Sequence, residues 1–313
     1  MKSTLSDAHF HDEKAAYAYV EARVWPEGPV CPHCGGSERI SKMGGKSTRV
    51  GTYKCYACRK PFTVKVGTIF ESSHVPLRHW LQAIFLLSSS KKGISSNQLA
   101  RTLGCTLKTA WFISHRVREA MTERGLPPLG GDGKVIESDE AYWGPKDEDT
   151  DPAMKARRRG KPGRGKKSTI MTLVERGGKA RSFKVADLKN ETVQRILLEN
   201  VARESRLHTD EGTAPSIGLL FAKHETVKHG AREYARGDVT TNTVEGFFSV
   251  FKRGMRGTYQ HCDAKHLQRY LAEFDFRYNN RTALGVSDVA RAEQALKGIV
   301  GKRLTYRTAN QRT

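Results

Sequence analysis

No run of apolar residues in this chain reaches the roughly 20 that a helix needs to cross a bilayer. The opening MKSTLSDAHFHDEK also lacks the apolar stretch of a secretion signal, so the expected setting is soluble and intracellular. Acids are in short supply, with 33 Asp and Glu against 54 Lys and Arg, a formal charge of +21 and a pI near 9.9. Such an imbalance points to a polyanionic partner, nucleic acid first, because Lys and Arg that displace condensed counterions supply most of a DNA-binding protein's affinity. Cysteine is sparse too: six residues, four of them in two CxxC pairs (Cys31, Cys34 and Cys55, Cys58) and two alone (Cys105, Cys262). That is a metal pattern in a reducing compartment, not a disulfide framework.

What remains is enough to fold. With 313 residues and 37% hydrophobic content the chain can bury a core and has the length of two or three domains. The punctuation divides it into a helical segment over 1–24, a Cys/Gly-rich stretch over 25–70 and a helical block over 75–124. The linker GLPPLGGDGK leads to a mixed region over 133–285, and a basic tail covers 286–313. In the mixed region KVIESDEAYWG, KSTIMTLVERG, KARSFKVADL and SRLHTDEG read as strands, with the helix ETVQRILLENVAR before the last. Further helices are expected over 242–256 and 264–280. The segment 144–167 carries four acids in 147–151, then eight Lys and Arg in 155–167, Arg157, Arg158 and Arg159 among them, and reads as a basic loop that contacts DNA.

CPHC and CYAC place four thiolates in two knuckles, a tetrahedral Zn²⁺ site that staples a stretch too short to bury much core. His33, inside the first knuckle, is expected to be exposed. Downstream, SSNQLARTLG and TLKTAWFISHRVREAM are joined by the short turn LGCT, a helix-turn-helix signature. Ser95 or Ser96 and Thr106 are the expected N-caps, with Gly104 ending the first helix. Ala110, Ile113 and Val117 face the core in this reading, while Lys108, Thr109 and Arg116 are DNA-contacting candidates.

The scarce acids are placed oddly, in pairs where strands finish: Asp139-Glu140 in VIESDEAYWG and Asp210-Glu211 in RLHTDEG. Glu245 opens the helix TNTVEGFFSVFKRGMRG. Carboxylates that converge repel one another unless divalent cations sit between them, so Asp139, Asp210 and Glu245 are candidate ligands for Mg²⁺ or Mn²⁺. Two such ions activate a water or a 3′-hydroxyl and stabilise the leaving oxygen in phosphoryl transfer. Seventy residues separate Asp139 from Asp210 and thirty-four separate Asp210 from Glu245; Lys252 follows Glu245 by seven positions, two turns along the same helix face. This is the D, D, E, K/R layout of an RNase H-like transposase or integrase core. By strand alternation Glu140 and Glu211 should point to the opposite face. His208 is expected to be packed, His224 and His229 are solvated or position substrate, and Trp143 either packs in the core or stacks on an unpaired base.

CPHC…CYAC, GTIFESSHVPLRHWLQAIFLL, LKTAWFISHRVREAM, ESDEAYWG, LHTDEG, HETVKHG, TNTVEGFFSVFKRGMRGTY and HLQRYLAEFDFRYNNR together resemble the IS1595 family of bacterial insertion-sequence transposases, the ISXO2-like group. The resemblance spans roughly residues 20–285. It implies an α/β protein with an RNase H-like DDE catalytic core behind a zinc ribbon and a helix-turn-helix domain. The implied partners are double-stranded DNA, as terminal inverted repeats and target, and further copies of the chain; the implied location is the bacterial cytoplasm, at the nucleoid. Some members carry Asn as the third acid, so Asn242 stands beside Glu245 as a candidate. Lys252, Arg253 and Arg256 are implied phosphate contacts. Two other readings remain: a zinc-ribbon DNA-binding regulator without chemistry, and an RNase H-like nuclease that cuts without joining.

Overall fold

The computed structural model describes residues 3–144, 167–210, 217, 219–231, 233 and 235–305. In chain order its elements are α1 (Glu13–Val24), β1 (Ile40–Lys42), β2 (Tyr53–Cys55), β3 (Pro61–Phe62), α2 (Leu77–Ser89), α3 (Ser96–Leu103) and α4 (Leu107–Met121). There follow β4 (Val135–Trp143), β5 (Ser168–Glu175), β6 (Ala180–Val185), α5 (Asn190–Asn200), β7 (Arg206–Asp210), β8 (Lys223–Val227), α6 (Asn242–Gly254), α7 (Leu267–Asn279) and α8 (Asp288–Lys297). Two compact units divide the chain, one of residues 1–123 with 281–313 and the other of 124–280. Among the described residues no helix is long and apolar enough to cross a membrane.

In the first unit β1, β2 and β3 form an antiparallel sheet in that order, pairing Ile40 with Cys55 and Tyr53 with Phe62. Its buried core is only Cys31, Tyr53, Cys55 and Phe62, with Trp25 set edge-on to both rings. Gly51 packs so closely on α1 that a Cβ would fall 2.0 Å from the Tyr17 ring, and its φ of +69° also calls for glycine. Helices α2, α3 and α4 bury Trp80, Ile84, Leu87, Leu99, Leu103, Ala110, Ile113 and Val117. Ser95 and Thr106 cap α3 and α4 by accepting from the amides of Gln98 and Thr109, and Gly104 ends α3 at φ +63°, as the sequence implied. Pro76 cannot cap α2 with a side chain; Glu13 of α1 does so, accepting from the amides of Leu77 and Arg78 at 2.7 and 3.2 Å.

The stretch expected as a basic tail is largely built in. Residues 288–297 form α8, which packs on α2, buries Ala295 and Leu296, and sends Arg291 to the carbonyl of Ser88 at 3.1 Å. Ile299, fully buried, accepts from the Ile69 amide. The helix escaped the sequence reading because it buries only Arg291, Ala295 and Leu296, a single large apolar side chain among them, which carries little periodic signal.

The second unit is a five-stranded mixed sheet in the order β6-β5-β4-β7-β8. β4, β5 and β6 run antiparallel, while β7 and β8 run parallel to β4. Both faces are covered, so β5 is apolar on alternate sides: Met171 and Leu173 meet α5, Ile170 and Val174 meet α6 and α7. On the α6–α7 side Val244, Phe247, Phe251, Leu271 and Phe274 form the core. The four strands read from sequence are present. β8 was missed because KHETV buries only Val227, so the edge strand carries no apolar alternation.

Candidate active site

Strand register brings the two aspartates together. β4 and β7 pair Val135 with Arg206, Ile136 with Leu207 and Glu137 with His208. Two residues further, on the same face, stand Asp139 and Asp210. Asp139 is not at a strand end, as expected, but in mid-strand opposite Thr172 of β5. What ends there is the pairing with β7, which leaves a notch at the carboxyl ends of the parallel strands, the usual place for ligands in open α/β sheets.

Glu140 was expected on the far face and is not confined there. One carboxylate oxygen each from Asp139, Glu140 and Asp210 can lie within 4.8 Å of the others, a spacing that suits a shared cation. With no β7 partner beside it, the longer glutamate arm is free to reach round the strand, a possibility that alternation within a continuous ladder hides. Burial pushes the Asp139 carboxyl up to about 6; the amide of Glu140 opposes this, and the charges of Asp210 and Glu245 add to it. Glu140 is pushed up to about 7 by burial and then by Asp210 and Asp139. Crowded carboxylates that hold protons in this way are ones a divalent cation would relieve.

Helix α6 supplies the opposite wall. Glu245, Phe248, Ser249, Lys252, Arg253 and Arg256 line, with Asp139, a cavity of about 600 Å³. Positions 245, 249 and 252 fall on one face of α6, and Arg256 follows in the π-helical turn Met255–Tyr259, so the wall carries an acid at one end and cations at the other. The Lys252 ammonium lies 5.7 Å from the centre of the Phe248 ring. Glu245 accepts from the Thr241 hydroxyl at 2.9 Å. Asn242, the other third-acid candidate, is exposed at the first position of α6 and is not among the residues lining the cavity.

A residue that the sequence reading passed over is Glu137. It is fully buried on β4, on the same face as Asp139. Its carboxylate accepts from the amides of Thr243 and Val244 at 2.7 and 3.0 Å and from the Thr243 hydroxyl at 2.8 Å. Arg176 grips it through Nε and Nη2 at 3.0 and 2.8 Å. The available signal was an acid inside an apolar strand, which is stable only if partnered.

Around this centre His208 is fully buried with Nδ1 3.4 Å from Arg176, and burial lowers its pKa. His224 meets the Thr209 hydroxyl at 2.9 Å. Trp143 is half-buried, edge-on to Phe251, so it takes the packing role. In the other unit Lys108 is exposed at the start of α4, and the Thr109 hydroxyl is 2.9 Å from that of its cap, Thr106. Arg116 does not fit the DNA-facing expectation: it is buried, donating to the carbonyls of Ile69, Glu71 and Leu304 and stacked on Phe112. From α4 the long side chain turns inward, where its guanidinium meets those three carbonyls. Arg157, Arg158, Arg159 and Glu211 lie outside the described residues.

The four thiols of the ribbon gather as the knuckles require. Cys31 and Cys58 sulfurs are 3.6 Å apart, Cys34 and Cys55 sulfurs 3.7 Å, and all four fall within 4.8 Å of one another. A zinc tetrahedron with bonds of about 2.3 Å has edges close to these lengths. The Cys55 thiol is lowered to about 7, chiefly by the backbone N–H of Cys58, which favours the thiolate that a metal needs. His33 is exposed.

A four-thiol ribbon, a helical block and a mixed sheet bearing clustered acids beside a cationic helix define a zinc-ribbon protein with a transposase domain. Residues 128–279 match the ISXO2-like transposase domain, and residues 11–61 match the transposase zinc-ribbon domain. The chain is also 30% identical over 276 residues to an uncharacterized protein in transposable element ISH50 of Halobacterium salinarum, an alignment covering 85% of this chain and 90% of that one. The chain belongs to the IS1595 family of insertion-sequence transposases.

Proposed function

We propose that this protein cuts DNA at the terminal inverted repeats of its element and joins the freed ends to target DNA, using Asp139, Asp210 and Glu245 as a DDE site on an RNase H-like core. The observation that carries the reading is the closeness of Asp139 and Asp210, two residues beyond the last pair of the adjacent parallel strands and with carboxylate oxygens within 4.8 Å of each other, with Glu245 on the wall of the cavity that Asp139 lines. The mixed sheet, covered by α5 on one face and α6 with α7 on the other, supports the RNase H-like assignment.

Asp139, Asp210 and Glu245 would hold Mg²⁺ or Mn²⁺, with Glu140 within reach of the same centre. Bound divalent ions supply an activated water or 3′-hydroxyl and neutralise the leaving oxygen. Lys252, Arg253 and Arg256 hold the phosphates of the bound strand along the helix face that leads away from Glu245. Glu245 is preferred to Asn242 because it faces the cavity and carries the charge a hard cation prefers.

In the first unit α3 and α4 would act as a helix-turn-helix, with Lys108 and Thr109 at the amino-terminal end of α4 and the zinc ribbon beside them on the DNA. Bringing two ends together calls for at least two copies of the chain.

The test uses purified protein, Mn²⁺ and labelled duplexes copied from the DNA flanking the gene. Strand cleavage is expected in the wild type and absent in Asp139→Ala; cleavage that survives the substitution removes Asp139 from the chemistry. Transfer of a labelled 3′ end into a plasmid separates a transposase from a nuclease that cuts without joining.

A further inference from the structure

Thr241, the residue that precedes α6, makes no side-chain cap to the first turn of that helix. The Asn242 amide finds the Thr240 hydroxyl at 3.1 Å, but the next two amides, of Thr243 and Val244, need an acceptor from elsewhere. Glu137 supplies the acceptor from across the fold. One oxygen takes the amides of Thr243 and Val244; the other takes the Thr243 hydroxyl and Arg176. Arg176 extends the grip to the approach segment, donating to the carbonyls of Asp238 at 2.9 Å and Thr240 at 3.3 Å. Both residues are anchored in the sheet: Glu137 is paired with His208 and Val174, and the Arg176 amide donates to Val135.

The consequence is geometric. Asp139 is two residues along the same strand face from Glu137, and Glu245 is one position beyond Val244. The carboxylate of Glu137 therefore ties the strand that carries the first acid to the helix turn that carries the third, through a charged hydrogen-bond fork. We propose that Glu137, with Arg176, is a positioning residue that sets Glu245 at its working distance from Asp139 and Asp210; the inference rests on the DDE reading of those three acids. Metal affinity, not DNA affinity, is the property it controls, because ligands brought in from separate elements bind tightly only when their spacing is fixed beforehand.

Glu137→Gln tests this. The substitution keeps the shape but turns an amide donor toward groups that only donate. The Mn²⁺ midpoint is read in two ways, by strand cleavage and by electron paramagnetic resonance of bound Mn²⁺, and is expected to rise about 10–100-fold. Amide exchange at Thr243 and Val244 should speed up, while retention of the flanking-DNA duplex stays close to wild type. A wild-type midpoint overturns the proposal. So does a parallel loss of duplex binding and cleavage at an unchanged midpoint, which would mark a residue that only keeps the unit folded. Asp139→Asn, run alongside, separates the two levels: if it cuts like wild type, the DDE reading has failed, whereas if it is inactive and Glu137→Gln is normal, only the positioning role has failed. Should Glu137→Gln not fold, Arg176→Lys keeps the charge but loses the forked contact and is expected to raise the midpoint in the same direction; an unchanged midpoint there overturns the proposal.

Discussion

At the scale of single residues the site carries a signature that pH can read. Asp139 and Glu140 hold their protons up to about 6 and about 7, against ordinary values of 3.8 and 4.5. A raised carboxyl pKa means that between those limits the folded protein keeps protons that the unfolded chain has released. Stability of the metal-free protein should therefore fall as pH rises from about 4 to about 7, the window set by these shifts. A divalent cation, which binds the ionised form, works in the opposite sense. The rise in Tm on adding Mg²⁺ is expected to be larger at about pH 8 than at about pH 5, measured by differential scanning calorimetry. An equal rise at both would mean that these two carboxyls do not hold the ion.

At the scale of elements, helices in both units depend on where their first-turn amides find acceptors. α3 and α4 find them locally, in Ser95 and Thr106; α2 and α6 borrow them from distant glutamates, Glu13 and Glu137. Thr106→Ala should cost about 1 kcal/mol and lower Tm by about 2–4 °C. Thermal melting checks this, and an unchanged Tm would show that the α3–α4 turn is held by packing alone. The contrast also marks what the sequence could disclose. Local caps, CxxC knuckles, the apolar runs of β4 and β5 and the stripe on α7 are periodic or short-range, so they are legible along the chain. The approach of Asp139 to Asp210 was legible only through spacing. Glu137, Glu140, Arg116 and β8 were not, because their roles depend on what lies opposite in space: a helix end, a missing ladder partner, a set of buried carbonyls, an edge. A sequence reading places a side chain on a face and cannot say what waits there.

At the scale of the whole molecule the first unit is discontinuous, closed by residues 281–313. Leu296 and Ile299 are buried in it, each worth about 1.5–3 kcal/mol. Deleting 281–313 should therefore expose the α2 face and abolish the cooperative melting of the first unit, read by limited proteolysis within 1–123. Proteolytic resistance equal to that of the full chain would show that α8 is dispensable.

That discontinuity also sets an order of events on the ribosome. The zinc ribbon and the three helices behind it emerge early, yet they wait for α8, made after the whole of the second unit, before the α2 face is sealed. A chain cut short between the acidic centre and α8 would have an unfinished front, open to proteases. Only a chain translated through α8 acquires both halves, so the fold itself checks that synthesis has passed that helix.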